Sequence, residues 1–202
     1  PPIFDLFRGK VRSVSVKTIL VCSLSLTAWW AFQFWNQQHL RNLPELATWT
    51  GQHREQLVSK SFFIVMASAV LGNFLAGWLA TLLGYRRAIA FMLLGFFFSY
   101  FGAYSVPRGY DSLVVWLACI GLFSGVFGLF TMYLPPLFPT LLRTTAAGFC
   151  YNVGRIAAAF GTVFFGLFSQ VGDFRIALLY AGLLIPPALL VAWILPEVSY
   201  HR

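Results

Sequence analysis

Arg155 stands in the middle of an apolar stretch running from Thr144 to about Gln170, and no acidic residue falls within any membrane-like segment to neutralise it. A guanidinium at bilayer depth costs roughly 2.5–3.5 kcal/mol on insertion scales, so such a residue points to function by default. Its planar fork of N–H donors matches a carboxylate through two parallel hydrogen bonds. Either an anionic ligand supplies the missing charge, or another part of a larger protein does. A third reading has the arginine donating to carbonyls of neighbouring helices, since polar side chains also join helices in membranes.

The residues around it suit a ligand. At three- and four-residue steps, the face of Arg155 carries Gly148, Asn152 or Tyr151, Ala159 and Thr162, small or polar types set apart from the Phe160, Phe164 and Phe168 stripe. Arg155 lies about 11 residues into its helix, or ~17 Å at 1.5 Å per residue, too deep to snorkel to a surface. Trp30, Gln33 and Gln37 share a second helical face that could wall the outer part of a cavity, and Trp35 is assigned to an interfacial aromatic belt. Asn73, beside Gly72, is placed mid-membrane, where ligand contact and interhelical hydrogen bonding are both open. His39 and His53 are read as solvated loop residues, and no His, Asp or Glu cluster supports an enzyme.

Composition dictates what must position these groups. Of 202 residues, 59% are hydrophobic, 18% aromatic and only 10% charged, with a mean hydropathy of +0.76. Soluble domains average about 25% charged, so the chain is a polytopic, all-α membrane protein embedded in a lipid bilayer. The net charge of +8 is spread along the chain rather than gathered in one patch, which argues against nucleic acid. Cys22, Cys119 and Cys150 have no CxxC spacing, so neither metal nor cofactor is expected. Pro1 opens the chain without a signal-peptide pattern, and the sequence is expected to be an excerpt from a longer one.

Six spans are predicted, at 17–35, 61–83, 88–106, 112–134, 144–169 and 174–195, each near the ~20 residues a bilayer requires. Residues 1–16 form a basic cytoplasmic linker and 196–202 a cytoplasmic tail. With the N-terminus inside, Arg8, Lys10, Arg12, Lys17, Arg86, Arg87, Arg143 and Arg202 are inner, against Arg41, Arg54, Lys60, Arg108 and Arg175 outside. That bias places both termini in the cytoplasm. The segment from Asn36 to Lys60 is predicted to be a long outer loop forming a cap or a short interfacial helix, and Pro186-Pro187 to kink the last span.

A weak internal echo exists. The second span closes on Gly77…Gly84-Tyr85-Arg86 and the fifth on Gly166…Gly172-Asp173-Phe174-Arg175, on opposite sides of the membrane. Two inverted three-helix repeats would give that arrangement.

Two loops carry a family resemblance. Gly77…Gly84-Tyr85-Arg86-Arg87 resembles the signature loop of the major facilitator superfamily, with Thr81 at its aspartate position and Leu82 at the basic one that follows. Tyr133-Leu-Pro-Pro-Leu-Phe138-Pro139-Thr140-Leu-Leu-Arg143…Gly148 is similar to the Phe-Pro-Thr loop between helices 10 and 11 of that superfamily, with Pro136 in place of a glutamate. The run Asn152-Val-Gly154-Arg155 that follows resembles the eleventh helix of its bacterial organic-anion members, the sialic-acid and aromatic-acid proton symporters.

The resemblance implies one half of a major-facilitator fold, helices 7 to 12, partnered by an N-terminal six-helix half. It implies a secondary transporter in the inner or plasma membrane that carries a small organic anion such as an aromatic or sugar acid, coupled to protons through an acid in the other half. Arg155 would take the carboxylate, Trp30 and Tyr151 would stack on the body, and Gln33, Asn73 and Asn152 would hydrogen-bond it. A neutral sugar or metabolite transporter, a non-transporting paralogue fragment and, further off, a six-helix channel are the alternatives.

Overall fold

The computed structural model describes residues 3–168 and 173–196. Ser169 at the close of the fifth predicted span, Gly172 of the echoed turn and the tail from 197 therefore lie outside the described residues. Those described form helices and turns without a strand: α1 Val11–Arg41, α2 Gly51–Leu83, α3 Tyr85–Tyr104, α4 Tyr110–Phe123, α5 Val126–Tyr133, α6 Arg143–Phe168, α7 Phe174–Gly182 and α8 Ile185–Trp193. They make six segments long and apolar enough to cross a membrane, two of them broken. One is interrupted at Ser124-Gly125 between α4 and α5, the other at Leu183-Leu184 between α7 and α8. Pro187 follows the second break; without an N–H it cannot donate to Leu183, and its ring disfavours continuous helix there.

Helix contacts follow an inverted two-fold pattern. The first span packs on the fifth as α1 on α6, and the second packs on the fourth as α2 on α4. The first meets the sixth, as the third meets the fourth, and α3 lies along α7 and α8. These contacts of one triplet are answered by counterparts in the other, as expected of two inverted three-helix repeats.

In lipid there is little hydrophobic gain from helix association, so close backbone approach carries the packing. A Cβ added at Gly72 would sit 1.9 Å from the Leu122 carbonyl oxygen, and one at Gly125 2.1 Å from that of Gly72. The α1–α6 seam works similarly: a Cβ at Gly154 would meet the Cys22 Cβ at 2.7 Å, and one at Gly161 the Thr27 methyl at 2.4 Å. Two buried tyrosine hydroxyls are tied down. Tyr100 donates to the Ala28 carbonyl at 3.1 Å and Tyr104 to Asn36 Oδ1 at 2.7 Å. Gly84 turns the chain between α2 and α3 at φ 84°, ψ 164°, a region open essentially to glycine alone.

Three expectations change. The segment from Asn36 to Lys60 is mostly helix, because α1 runs on to Arg41 and α2 begins at Gly51, leaving residues 42–50 as the link. Thr50 caps α2, accepting from the His53 N–H at 3.3 Å. His39 consequently sits in the last turns of α1, half-buried, with its ring edge-on to Tyr104 at 5.7 Å. Third, much of the segment read as a basic linker at 1–16 is helical. A 3-10 helix at Ile3–Phe7 buries Leu6 against Phe138, Leu142, Ala146 and Cys150, and α1 already starts at Val11.

Candidate functional site

Four hollows run together along one face of the bundle. The first, about 410 Å³, is lined by Trp30, Trp35, Arg155 and Thr162 among others. The second, about 440 Å³, holds Gln33, Gln37 and Met66 beside Trp30. A third, about 280 Å³, joins Tyr151, Asn152 and Arg155 to Thr131. The fourth, about 330 Å³, places Asn73 with Trp30, Thr131 and Tyr151. Trp30 borders three of the four, while Tyr151 and Arg155 each border two, so the hollows form one continuous groove.

Helical register explains the gathering. Arg155 is the thirteenth of the 26 residues of α6, and Asn152, Tyr151 and Gly148 precede it by one or two turns on nearby faces. On one flank of Arg155, Gly154 packs against Cys22 of α1 and Ala158 is buried, while Arg155 itself stays exposed. Its guanidinium carbon lies 5.7 Å from the centre of the Tyr151 ring, within cation–π range. Among the described residues Arg155 makes no hydrogen bond and no ion pair, and its exposed side chain borders two of the hollows. Asn152 spends its amide N–H on the Gly148 carbonyl at 2.8 Å. Asn73 Oδ1 lies over Gly128, 2.9 Å from where a Cβ would stand there, so glycine is what admits the amide.

All six residues singled out in the sequence (Arg155, Asn152, Tyr151, Trp30, Gln33 and Asn73) thus border the same groove. The sequence reading missed Thr131, whose hydroxyl donates to the Gly128 carbonyl at 2.6 Å and whose exposed side chain bridges the α5 and α6 walls. Its signal was faint: a threonine three residues after Gly128 at the end of a broken helix. Trp29 was missed too; it stacks on Phe32 at 5.7 Å and meets Phe127 at 5.8 Å, backing the groove with a rigid aromatic wall. Trp35, read as a belt residue, also has specific partners: its indole N–H donates to the Thr162 carbonyl at 2.9 Å and its ring stacks on Phe174 at 5.8 Å.

The loop motifs lie elsewhere, at one end of the bundle. Gly77 is half-buried, with open space around it. Thr81 turns its hydroxyl back to the Trp78 carbonyl at 2.6 Å. Arg86 reaches across the bundle to the Leu195 carbonyl and lies 5.7 Å from the Trp193 ring centre, while Arg87 is exposed. Phe138 is buried and its carbonyl accepts from Arg143 Nε at 3.2 Å; Pro139 and Thr140 are exposed.

Two solved structures share this architecture. A D-xylose–proton symporter superposes with a TM-score of 0.74 at 16% identity, over 94% of this chain and 49% of its own. The inward-open xylose transporter of E. coli gives 0.66 at 15% identity, over 97% and 48%. The chain has the fold of half a major facilitator transporter. Among curated proteins it is 33% identical over 116 residues to the cis,cis-muconate transport protein of Acinetobacter baylyi, covering 56% of this chain and 27% of that protein. It is 35% identical over 98 residues to human solute carrier family 22 member 11, covering 46% and 17%. The chain therefore spans about half the length of the two structures and about a quarter or less of the two curated relatives. No protein-family model matches it.

Proposed function

We propose that this chain is the C-terminal half, helices 7 to 12, of a secondary transporter that carries a small organic anion across the cell membrane by alternating access. The observation behind this reading is Arg155: mid-helix, open to the groove, and without an acidic partner among the described residues. A cation so placed is stable when a ligand carboxylate satisfies its fork. Trp30 and Tyr151 supply flat apolar surface for the body of the anion, and Gln33, Asn73, Asn152 and Thr131 supply donors and acceptors for its remaining polar groups. A relative named for muconate, an unsaturated dicarboxylate, agrees with that chemistry.

The groove is one-sided in this chain and is closed by the N-terminal six-helix half, whose rocking against this one alternates access. Symport with protons needs a membrane-embedded acid, which belongs to that half. Lysine and arginine bias orients both termini to the cytoplasm of an inner or plasma membrane.

The test is uptake by the full-length protein in proteoliposomes with a panel of cis,cis-muconate, benzoate, a sugar acid and neutral xylose. Carboxylate uptake that falls by about two orders of magnitude or more in Arg155→Gln, about 2.8 kcal/mol of lost carboxylate contact, is the expected result. Undiminished carboxylate uptake in that variant sinks the reading. A second reading, neutral sugar transport, is favoured by the fold of the xylose symporter; preferential xylose uptake that ignores Arg155→Gln would establish it. Collapse of the proton gradient with no change in uptake removes the symport assignment.

A further inference from the structure

The groove does not stop at Gln33. Along α1, Trp30, Gln33, Gln37 and Arg41 recur at three- and four-residue steps and so share one face, rising roughly 16 Å from the tryptophan to the arginine. Gln37 and Phe62 line both the hollow beside Gln33 and a further one of about 260 Å³, which holds Arg41 and Glu55 at the rim. There Arg41 Nε donates to Glu55 Oε1 at 2.7 Å and Nη2 to Oε2 at 3.1 Å. The guanidinium is thus already presented in the two-point geometry that a single carboxylate takes. The Glu55 side chain is 57% exposed, and ion pairs that wet exchange partners at little cost.

We infer that Arg41 is a second anion-binding residue, a capture station at the mouth of the groove, where Glu55 occupies the guanidinium until the carboxylate of an incoming substrate replaces it. The inference rests on the organic-anion reading and extends it from one cation to two. A captured anion then has the Gln37–Gln33 ladder beneath it, whose amides offer successive hydrogen-bond partners on the way to Trp30 and Arg155. Glu55 acts as a competitor as well as a holder. Neutral molecules cannot displace it, so the mouth selects for charge before the deeper site is reached.

The alternative for the same bond is a staple that joins the end of α1 to the start of α2, and the two roles predict different signs. In the full-length protein in proteoliposomes, with radiolabelled benzoate and cis,cis-muconate as probes, a capture station gives Arg41→Gln a KM raised about two- to fivefold, the reach of one exposed charge. Glu55→Gln lowers KM, because the competitor is gone, and the salt dependence of uptake weakens only in Arg41→Gln. A staple makes both variants impair uptake alike, and that result overturns the inference, as does no change in either. Melting temperatures of both variants in detergent separate a loss of fold from a loss of capture. If Arg155→Gln abolishes uptake while both mouth variants behave alike, the capture role alone fails; if Arg155→Gln leaves uptake intact, the organic-anion reading fails with it.

Discussion

Arg86 and Arg175 are each the second residue of their helix, α3 and α7, and each reaches a carbonyl at the close of the other's span. Arg86 donates to the Leu195 oxygen beyond α8, and Arg175 Nη1 donates to the Tyr104 oxygen at 2.7 Å. The last carbonyls of a helix have no partner within it and carry the negative end of its dipole, so a guanidinium there satisfies both. The two arginines are therefore the ends of one reciprocal clamp that joins the third and sixth spans.

If the clamp holds the pair, Arg86→Gln and Arg175→Gln each lower the stability of the detergent-solubilised protein by about 1.5–3 kcal/mol, the usual worth of a hydrogen bond from a charged donor. Thermal denaturation followed by tryptophan fluorescence reads this directly. An unmoved melting temperature in both variants shows that helix packing alone joins the spans.

Glycine at the α2–α4 crossing is a packing requirement. Gly72→Ala and Gly125→Ala force a methyl group against backbone oxygen, and folded yield falls sharply in both. Gly77→Ala, whose added Cβ meets nothing within 4 Å, folds as well as or better than the parent, since alanine favours helix by up to about 1 kcal/mol. Size-exclusion profiles of the three variants decide the matter, and equal loss in all three contradicts it.

Tyr104→Phe removes the donor to Asn36 Oδ1 and leaves a buried amide oxygen without that partner; Asn36 is only 5% exposed. The expected loss is about 1–3 kcal/mol. Replacing Asn36 by Leu in the same background recovers part of it, and no recovery argues that the ring contacts of Tyr104, not its hydroxyl, matter.

Trp30 borders three of the four hollows, so Trp30→Ala should raise the KM for a carboxylate by about tenfold, corresponding to 1.4 kcal/mol of lost contact. Phe63→Ala, at an exposed side chain on α2 that borders none of the four hollows, should move it far less. Similar effects from both would mean that these aromatics act through lipid or partner packing.

The spans were legible because bilayer thickness writes itself into apolar run length, and the groove residues because a polar side chain on an apolar helix is conspicuous. What escaped has equally physical causes. Hydropathy stops where the bilayer stops, so the polar ends of α1 and α2, with His39, read as loop although their backbones stay helical. Trp35 was legible as an aromatic at the end of a span, but its cross-helix bond to Thr162 is encoded by no local pattern. Arg86 was legible as a basic turn residue, yet its acceptor is 109 residues away. Thr131 was hidden among the glycines that precede it.

The breaks at Ser124-Gly125 and Leu183-Leu184 fall in the fourth and sixth spans, while α1, α2 and α3 run uninterrupted through theirs. One triplet is built of stiff rods and the other carries two joints. A joint lacks part of the hydrogen-bond ladder that resists bending, so it flexes where a continuous helix would have to melt a turn. Two repeats that share a contact pattern thus differ in continuity: α1, α2 and α3 are unbroken, while the fourth and sixth spans each carry a break, beside α5 and α8. Thr131 and Asn73 face each other across that division, so a ligand touching both would sense the two mechanical halves of the bundle at once.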